Sequence, residues 1–212
     1  MKTLSAEERR FFESAVSQYQ SGLRADTRGQ EYLTGRGIGP EVAGTFRLGV
    51  VNNPLAGHES YRGRLAIPYL TPSGPVNLRF RCLKPHDCKA ENCPKYVSLD
   101  GADTNLFNVA ALKAESPHIC VTEGEIDTIT LTMCGIAAVG VPGVENWQEH
   151  FRLCLDDFDV VYVLGDGDKA GRKFSSFLAR EARARKIQLP RGEDVNDLYR
   201  RAGADAVRGL LG

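Results

Sequence analysis

No apolar run in the chain approaches the length of about eighteen residues that a membrane-spanning helix needs. The opening Met1-Lys2-Thr3-Leu4-Ser5-Ala6-Glu7-Glu8 also lacks the apolar h-region of a secretory signal, so a cytoplasmic protein is expected. Excess charge is missing too: 27 basic side chains meet 27 acidic ones. That balance argues against a protein that coats nucleic acid through bulk electrostatics, and leaves local basic patches open. Internal repeats and low-complexity segments are absent. With 42% hydrophobic and 25% charged residues, the composition is that of a globular chain, neither disordered nor collagen-like. A length of 212 residues suits one mid-sized domain or two small ones. Six cysteines are present, and a reducing compartment makes disulfides improbable. Cys120, Cys134 and Cys154 stand inside apolar runs and are expected to be small buried hydrophobes.

Two patterns follow one another along the chain. Residues 5–21 carry Phe11, Phe12, Ala15, Val16 and Tyr19 at helical spacing behind a Ser5-x-x-Glu8 capping box. A second short helix is expected over 27–34, and Pro40 opens a third. Phe46–Val51 reads as a strand. Arg64–Leu70 and Val76–Cys82 read as a hairpin around Thr71-Pro72-Ser73-Gly74-Pro75. A cysteine-bearing loop and a short strand over Lys95–Leu99 follow. Beyond Pro117, apolar runs at 118–122, 136–141, 160–164 and 186–189 alternate with helical stretches at 125–133, 147–155 and 170–185. Two short helical stretches end at Leu211. Strand–helix alternation implies βαβ units and a parallel sheet. The expected fold is therefore mixed α/β. An N-terminal helical segment (1–26) and a small basic α+β subdomain (27–116) precede a Rossmann-like parallel sheet flanked by helices (117–212).

Open α/β sheets place their ligands at the carboxyl ends of the strands. Acidic clusters fall at such ends: Glu123-Gly124-Glu125-Ile126-Asp127, Asp166-Gly167-Asp168 and Glu193-Asp194. Converging carboxylates repel one another, and a Mg²⁺ ion, which prefers hard oxygen ligands, relieves that repulsion. The structural alternative is that these residues cap helices. Residues 36–95 hold nine basic against four acidic side chains, so the neutral total is the sum of a basic part and an acidic part.

Glu123-Gly124-x-x-Asp127 followed by Asp166-x-Asp168 resembles the TOPRIM module shared by primases, topoisomerases and some nucleases. Asp166-Gly167-Asp168-Lys169-Ala170-Gly171-Arg172 more specifically resembles the bacterial DnaG-type primases. So do Leu189-Pro190-x-Gly192-x-Asp194, Tyr32-Leu33-x-x-Arg36-Gly37 with Phe46-x-Leu48-Gly49, Gly63-Arg64-Leu65-x-Ile67-Pro68, and Pro94-Lys95-Tyr96. The resemblance covers residues 27–212. It implies metal-dependent synthesis of short RNA primers on a single-stranded DNA template during replication, from ribonucleoside triphosphates. Its catalytic residues would be Glu123, Asp166 and Asp168, binding Mg²⁺ or Mn²⁺, with Asp127 and Asp194 as further acidic positions of the metal site. Lys95 and Arg81, with Arg79 as the alternative and Arg64 as a third basic position, would touch nucleotide or template. Lys169 and Arg172, with Lys173, either contact phosphate or form a solvated helix face. The family usually carries a zinc-binding domain before and a helicase-binding domain after this region, and a basic residue where Asn108 follows Leu106-Phe107. The resemblance thus implies a minimal phage- or plasmid-type primase working with a replicative helicase or a separate zinc-domain polypeptide. A TOPRIM nuclease and a non-catalytic nucleic-acid or replication-partner binding module are the alternatives.

Cys82, His86, Cys88 and Cys93 cluster in one loop with Lys84, Lys89 and Lys95. Two readings stand side by side: a Cys₃His zinc site, or a solvent-facing basic loop with incidental cysteines.

Overall fold

The computed structural model describes residues 3–211, which divide into two compact units meeting at Asp103/Thr104. In the first unit, α1 (Ala6–Arg24) starts at the expected capping box: Glu8 N–H donates to Ser5 Oγ at 3.1 Å, and Ser5 N–H donates to Glu8 Oε2 at 2.7 Å. Then come α2 (Thr27–Gly35), capped by Asp26, and α3 (Pro40–Thr45), with Pro40 in its first turn. Strands β1 (Gly49–Val50), β2 (Leu65–Thr71), β3 (Gly74–Arg81) and β4 (Tyr96–Ser98) form an antiparallel sheet in that order. The strand expected over 46–51 shrinks to Gly49–Val50. Phe46 and Arg47 instead donate back to Val42 and Gly44, prolonging the end of α3, and Arg47 takes a left-handed φ of 51°.

The N-terminal helix is not a separate segment. Its Ala15, Val16 and Tyr19 are buried against Val51, Tyr61, Ala66, Leu78 and Phe80 of the hairpin half. Burying that apolar stripe stabilises the helix more than its intrinsic propensity does.

The second unit holds β5 (His118–Thr122), α4 (Glu125–Met133), β6 (Ala138–Gly140), α5 (Glu149–Leu153), β7 (Val160–Gly165), α6 (Lys169–Glu181), β8 (Arg185–Gln188) and α7 (Val195–Arg208). Helix α7 is interrupted at Gly203, where φ is +80°, giving the two expected helical stretches. Its four strands are all parallel, in the order β6-β5-β7-β8. Period-two alternation sends Ile119, Val121, Val161 and Val163 to one face with Phe151 of α5 and Phe174 and Leu178 of α6. Cys120 and Leu164 go to the other, with Leu131 of α4 and Leu198 and Val207 of α7. The sheet is covered on both faces, which is why its strands read as continuous apolar runs.

Residues 104–116 fall with the second unit, although the sequence pattern changes only at Pro117. Leu106 is buried in its core, and Phe107 exchanges backbone hydrogen bonds with Gly140. Cys120 and Cys134 are buried as expected; Cys154 is exposed. It lies at the C-terminal end of the short α5, where its thiol faces the His150 carbonyl at 3.6 Å instead of the core. Among the described residues, no helix is long and apolar enough to cross a membrane.

Candidate functional site

Strand order makes one crevice special. From β5 the chain crosses to β6 on one side, and later returns to β7 on the other side of β5. The order therefore reverses between β5 and β7, and such a switch point opens a crevice at the carboxyl edge of an α/β sheet. Thr122 pairs with Leu164. Glu123 thus leaves β5, and Asp166 leaves β7, at the same edge of neighbouring strands. Both are half-buried, while Asp168 is exposed at the first residue before α6.

Local chemistry holds each turn. After β5, the Thr122 and Thr128 hydroxyls lie 2.7 Å apart, one donating to the other, and stand 3.1 and 3.0 Å from the Gly124 carbonyl, which accepts from the remaining O–H. This buried knot fixes the step from Glu123 into α4. After β7, glycine allows backbone segments to touch. A Cβ on Gly165 would collide with the Gly171 carbonyl, one on Gly167 with the Pro190 carbonyl, and one on Gly171 with the Asp166 backbone. Gly167 N–H donates to Glu193 O at 2.8 Å, and Gly192 N–H to Gly167 O at 3.1 Å. The Asp166–Asp168 turn is thereby stitched to the loop before α7.

The capping alternative is realised for several carboxylates. Asp168 accepts from Gly171 N–H at 2.8 Å and Asp194 from Asp197 N–H at 2.7 Å, as N-caps of α6 and α7. Asp127, only 7% exposed, accepts from Asn196 N–H at 2.9 Å. The Asn196 side chain donates in turn to Thr130 Oγ1 at 2.9 Å, so the start of α4 is bound to the start of α7. Lys169 and Arg172 are exposed on the first turn of α6, and Arg172 reaches back to the Gly167 carbonyl at 3.4 Å. Asn108, where the primase resemblance calls for a basic residue, has a left-handed φ of 59° and donates to the Ala138 carbonyl at 2.9 Å. Asparagine tolerates that conformation better than a long basic side chain.

In the first unit, Arg79 and Arg81 are brought together by an aromatic neighbour that sequence reasoning had not assigned a role. Their guanidinium groups lie 4.7 and 5.0 Å from the centre of the Tyr96 ring, and Arg81 also hydrogen-bonds its hydroxyl. Arg81 further lies 4.8 Å from the centre of the Tyr32 ring, which Arg36 approaches at 5.8 Å. The four form a run of alternating cations and rings with Arg36, each contact of the kind worth about 0.5–2 kcal/mol. Tyr32 and Arg36 belong to Tyr32-Leu33-x-x-Arg36-Gly37 and Tyr96 to Pro94-Lys95-Tyr96; their stacking depends on a sheet register the sequence does not display. Lys95 is exposed beside this run. Arg64 turns elsewhere, to the Pro94 carbonyl at 2.9 Å and the Cys93 sulfur at 3.8 Å.

Among the described residues, one group of His, Cys and acidic side chains is clustered closely enough to hold a metal ion. The ligand atoms of Cys82, His86, Cys88 and Cys93 all lie within 4.8 Å of one another. Burial pushes the Cys82 thiol up, but hydrogen bonds involving the Lys84 backbone, His86, Cys93 and Cys88 outweigh it and bring it down to about 7. Desolvation and the neighbouring Cys82 raise the Cys88 thiol.

A family model described as Toprim-like matches residues 120–199. The Gene 57 protein of Mycobacterium phage D29 is 41% identical over 153 residues, covering 69% of this chain and 97% of its own length. The DNA primase of Haemophilus influenzae is 24% identical over 88% of this chain, which spans only 38% of that primase. The crystal structure of the RNA polymerase domain of Mycobacterium tuberculosis primase DnaG, in complex with a double-stranded DNA oligomer with a 6-nucleotide overhang, shares the fold. Its TM-score is 0.79 at 21% identity, with 98% of this chain and 80% of that one covered. With the Toprim-like module in the second unit and primase similarity running through both, the chain belongs to the family of DnaG-type DNA primases.

Proposed function

We propose that this chain is a primase catalytic core, a nucleotidyltransferase that makes short RNA primers on single-stranded DNA. The observation that carries the reading is the placement of Glu123 and Asp166 at the switch point between β5 and β7, in a chain of this family. A divalent cation fits that edge, because the donors leaving both strands are carboxylate oxygens, the ligand type that Mg²⁺ and Mn²⁺ take. Glu123, Asp166 and Asp168 would hold it, with Asp127 and Asp194 as further acidic groups whose Oδ1 atoms already anchor the start of α7. When bound, such an ion neutralises charge developing on the transferring phosphate.

The protein's own groups supply positioning and charge. Tyr32 and Tyr96, sandwiching Arg81, are a platform on which bases and phosphates of a single strand can lie. Lys95 and Arg79 add charge-assisted contacts on that unit; on the second unit, Lys169 and Arg172 offer such contacts at the start of α6. Template DNA and ribonucleoside triphosphates are the proposed ligands; a replicative helicase or a separate zinc-domain polypeptide is the proposed partner.

The test uses the full chain, a single-stranded template, labelled ribonucleotides and Mg²⁺ or Mn²⁺. Short RNA products are expected, reduced at least about a hundredfold in Glu123→Gln and Asp166→Asn without loss of the folded state. Template degradation instead of synthesis would establish the nuclease. Binding with neither activity would leave a non-catalytic module and overturn the proposal.

A further inference from the structure

The loop from Cys82 to Lys95 has neither helix nor strand. Cys82 and Leu83 are buried, whereas Lys84, Asp87, Lys89, Ala90, Glu91 and Asn92 are exposed. A structureless loop of this length has too little apolar surface to hold one conformation by packing, and such loops are usually held by something else. Yet four side chains converge inside it.

Three of the six separations among them match the edges of a coordination tetrahedron, and all six fall within 4.8 Å. A zinc ion with Zn–S bonds of about 2.3 Å and Zn–N bonds of about 2.0 Å sets sulfur–sulfur edges of about 3.8 Å and sulfur–nitrogen edges of about 3.5 Å. The Cys93 and Cys82 sulfurs are 3.8 Å apart, and His86 Nε2 is 3.5 Å from the Cys82 sulfur and 3.4 Å from the Cys88 sulfur. A disulfide would need about 2.05 Å, and all of these cysteines are free. Hydrogen bonding does not account for the arrangement either. A single ring nitrogen has one in-plane hydrogen-bonding direction, and here it faces two sulfurs at once. A metal ion at the centre satisfies all four atoms together.

We propose that Cys82, His86, Cys88 and Cys93 bind one Zn²⁺ in a closed, structural site. Three thiolates and one neutral imidazole around a dication leave one net negative charge. The Arg64 guanidinium, 3.8 Å from the Cys93 sulfur and anchored on the Pro94 carbonyl at 2.9 Å, offsets it and orients that ligand. The site lies between two functional stretches: Cys82 directly follows Arg81 at the end of β3, and Cys93 stands just before Pro94-Lys95-Tyr96 at the start of β4. Zinc would therefore staple the loop's two ends and hold Lys95 beside the Arg81–Tyr96 pair. It belongs to the β3–β4 connection and is independent of the acidic edge, so it stands or falls apart from the proposed catalysis.

The experiment measures metal content of the full chain by elemental analysis after exhaustive dialysis. It then replaces the metal with Co²⁺ and records the visible spectrum. About one zinc per chain is expected, with the thiolate-to-cobalt charge-transfer and intense visible bands of a tetrahedral site. Cys88→Ser and Cys93→Ser should lose the metal, while Cys154→Ser and Glu123→Gln should keep it. Should a loop variant fail to fold, titrating wild-type protein with a mercurial that caps thiols gives the same answer, releasing about one zinc as the loop thiolates react. Dialysed protein with no zinc and no tetrahedral cobalt spectrum overturns the site. So does zinc retained in both cysteine variants, or released without consumption of loop thiols.

Discussion

Gly167→Ala is a sharp test of how the acidic edge is held. The added Cβ would fall on the Pro190 carbonyl and stand 2.9 Å from both Gly192 N and the Pro190 carbonyl carbon, all backbone atoms that no rotamer change can move aside. Accommodating it separates the Asp166–Asp168 turn from the loop before α7. That endangers the hydrogen bonds Gly167 N–H to Glu193 O and Gly192 N–H to Gly167 O, at 2.8 and 3.1 Å. Each is worth about 0.5–1.5 kcal/mol net, and overpacking adds about 1–3 kcal/mol. Reduced freedom of the unfolded chain returns at most about 1 kcal/mol. The expected loss is thus about 1–6 kcal/mol, or about 4–24 °C in melting temperature for a unit of about a hundred residues. Gly44→Ala is the control: Gly44 lies in α3 with nothing within 4 Å of an added methyl, so alanine should be neutral or stabilise by up to about 1 kcal/mol. Thermal unfolding followed by circular dichroism and calorimetry reads both. A Gly167→Ala protein melting within about 2 °C of wild type would refute the reasoning. Equal damage from Gly44→Ala would do the same.

Asp168 is expected to separate capping from chemistry. Asp168→Asn preserves the acceptor for Gly171 N–H and should melt like wild type, whereas Asp168→Ala should lose about 1 kcal/mol; both should lose primer synthesis, and an active Asn variant would reduce the residue to a cap. His58 should make stability depend on pH. It is buried, its Nδ1 lies 2.7 Å from the Tyr19 hydroxyl, and burial holds its pKa below the ordinary value, with Glu59 pulling weakly the other way. Below about pH 6.5 the unfolded chain takes up a proton that the folded one refuses, so stability should fall as pH drops from about 7 to 5. Urea unfolding of wild type and His58→Gln should show this extra slope only in wild type; identical slopes would contradict it.

Most elements were legible because local signals and burial agree. Ser5 and Glu8 announced α1, and the turn around Gly74 announced the hairpin. Both-face burial made β5 and β7 conspicuous as apolar runs. The positions of Glu123, Asp166 and Asp168 at the strand ends were legible because the apolar runs before them end where the acidic residues begin; their role in metal binding is the proposal. What escaped depends on distant partners. Residues 104–116 carry no periodic pattern, only one Phe107–Gly140 bridge and a short 3₁₀ turn, so their allegiance could not be read locally. Tyr32 and Tyr96 are far apart in the chain and meet only across Arg81. Capping and metal binding looked like rival roles for Asp168 and Asp194. Both residues do cap helices, and a carboxylate has a second oxygen for other work.

The bond from Asn196 N–H to Asp127 also bears on the order in which the second unit is made. Its two ends are 69 residues apart, and the parallel pairing of β5 with β7, His118 with Val160, joins residues 42 apart (160 − 118). Contacts of such high sequence separation form late and slow folding. During synthesis, β5, Glu123 and the α4 turn emerge well before α7 can supply the amide that Asp127 accepts. The acidic edge therefore reaches its final geometry only when the last helix docks. A chain stalled before residue 195 would carry every proposed catalytic carboxylate without the fold that fixes them.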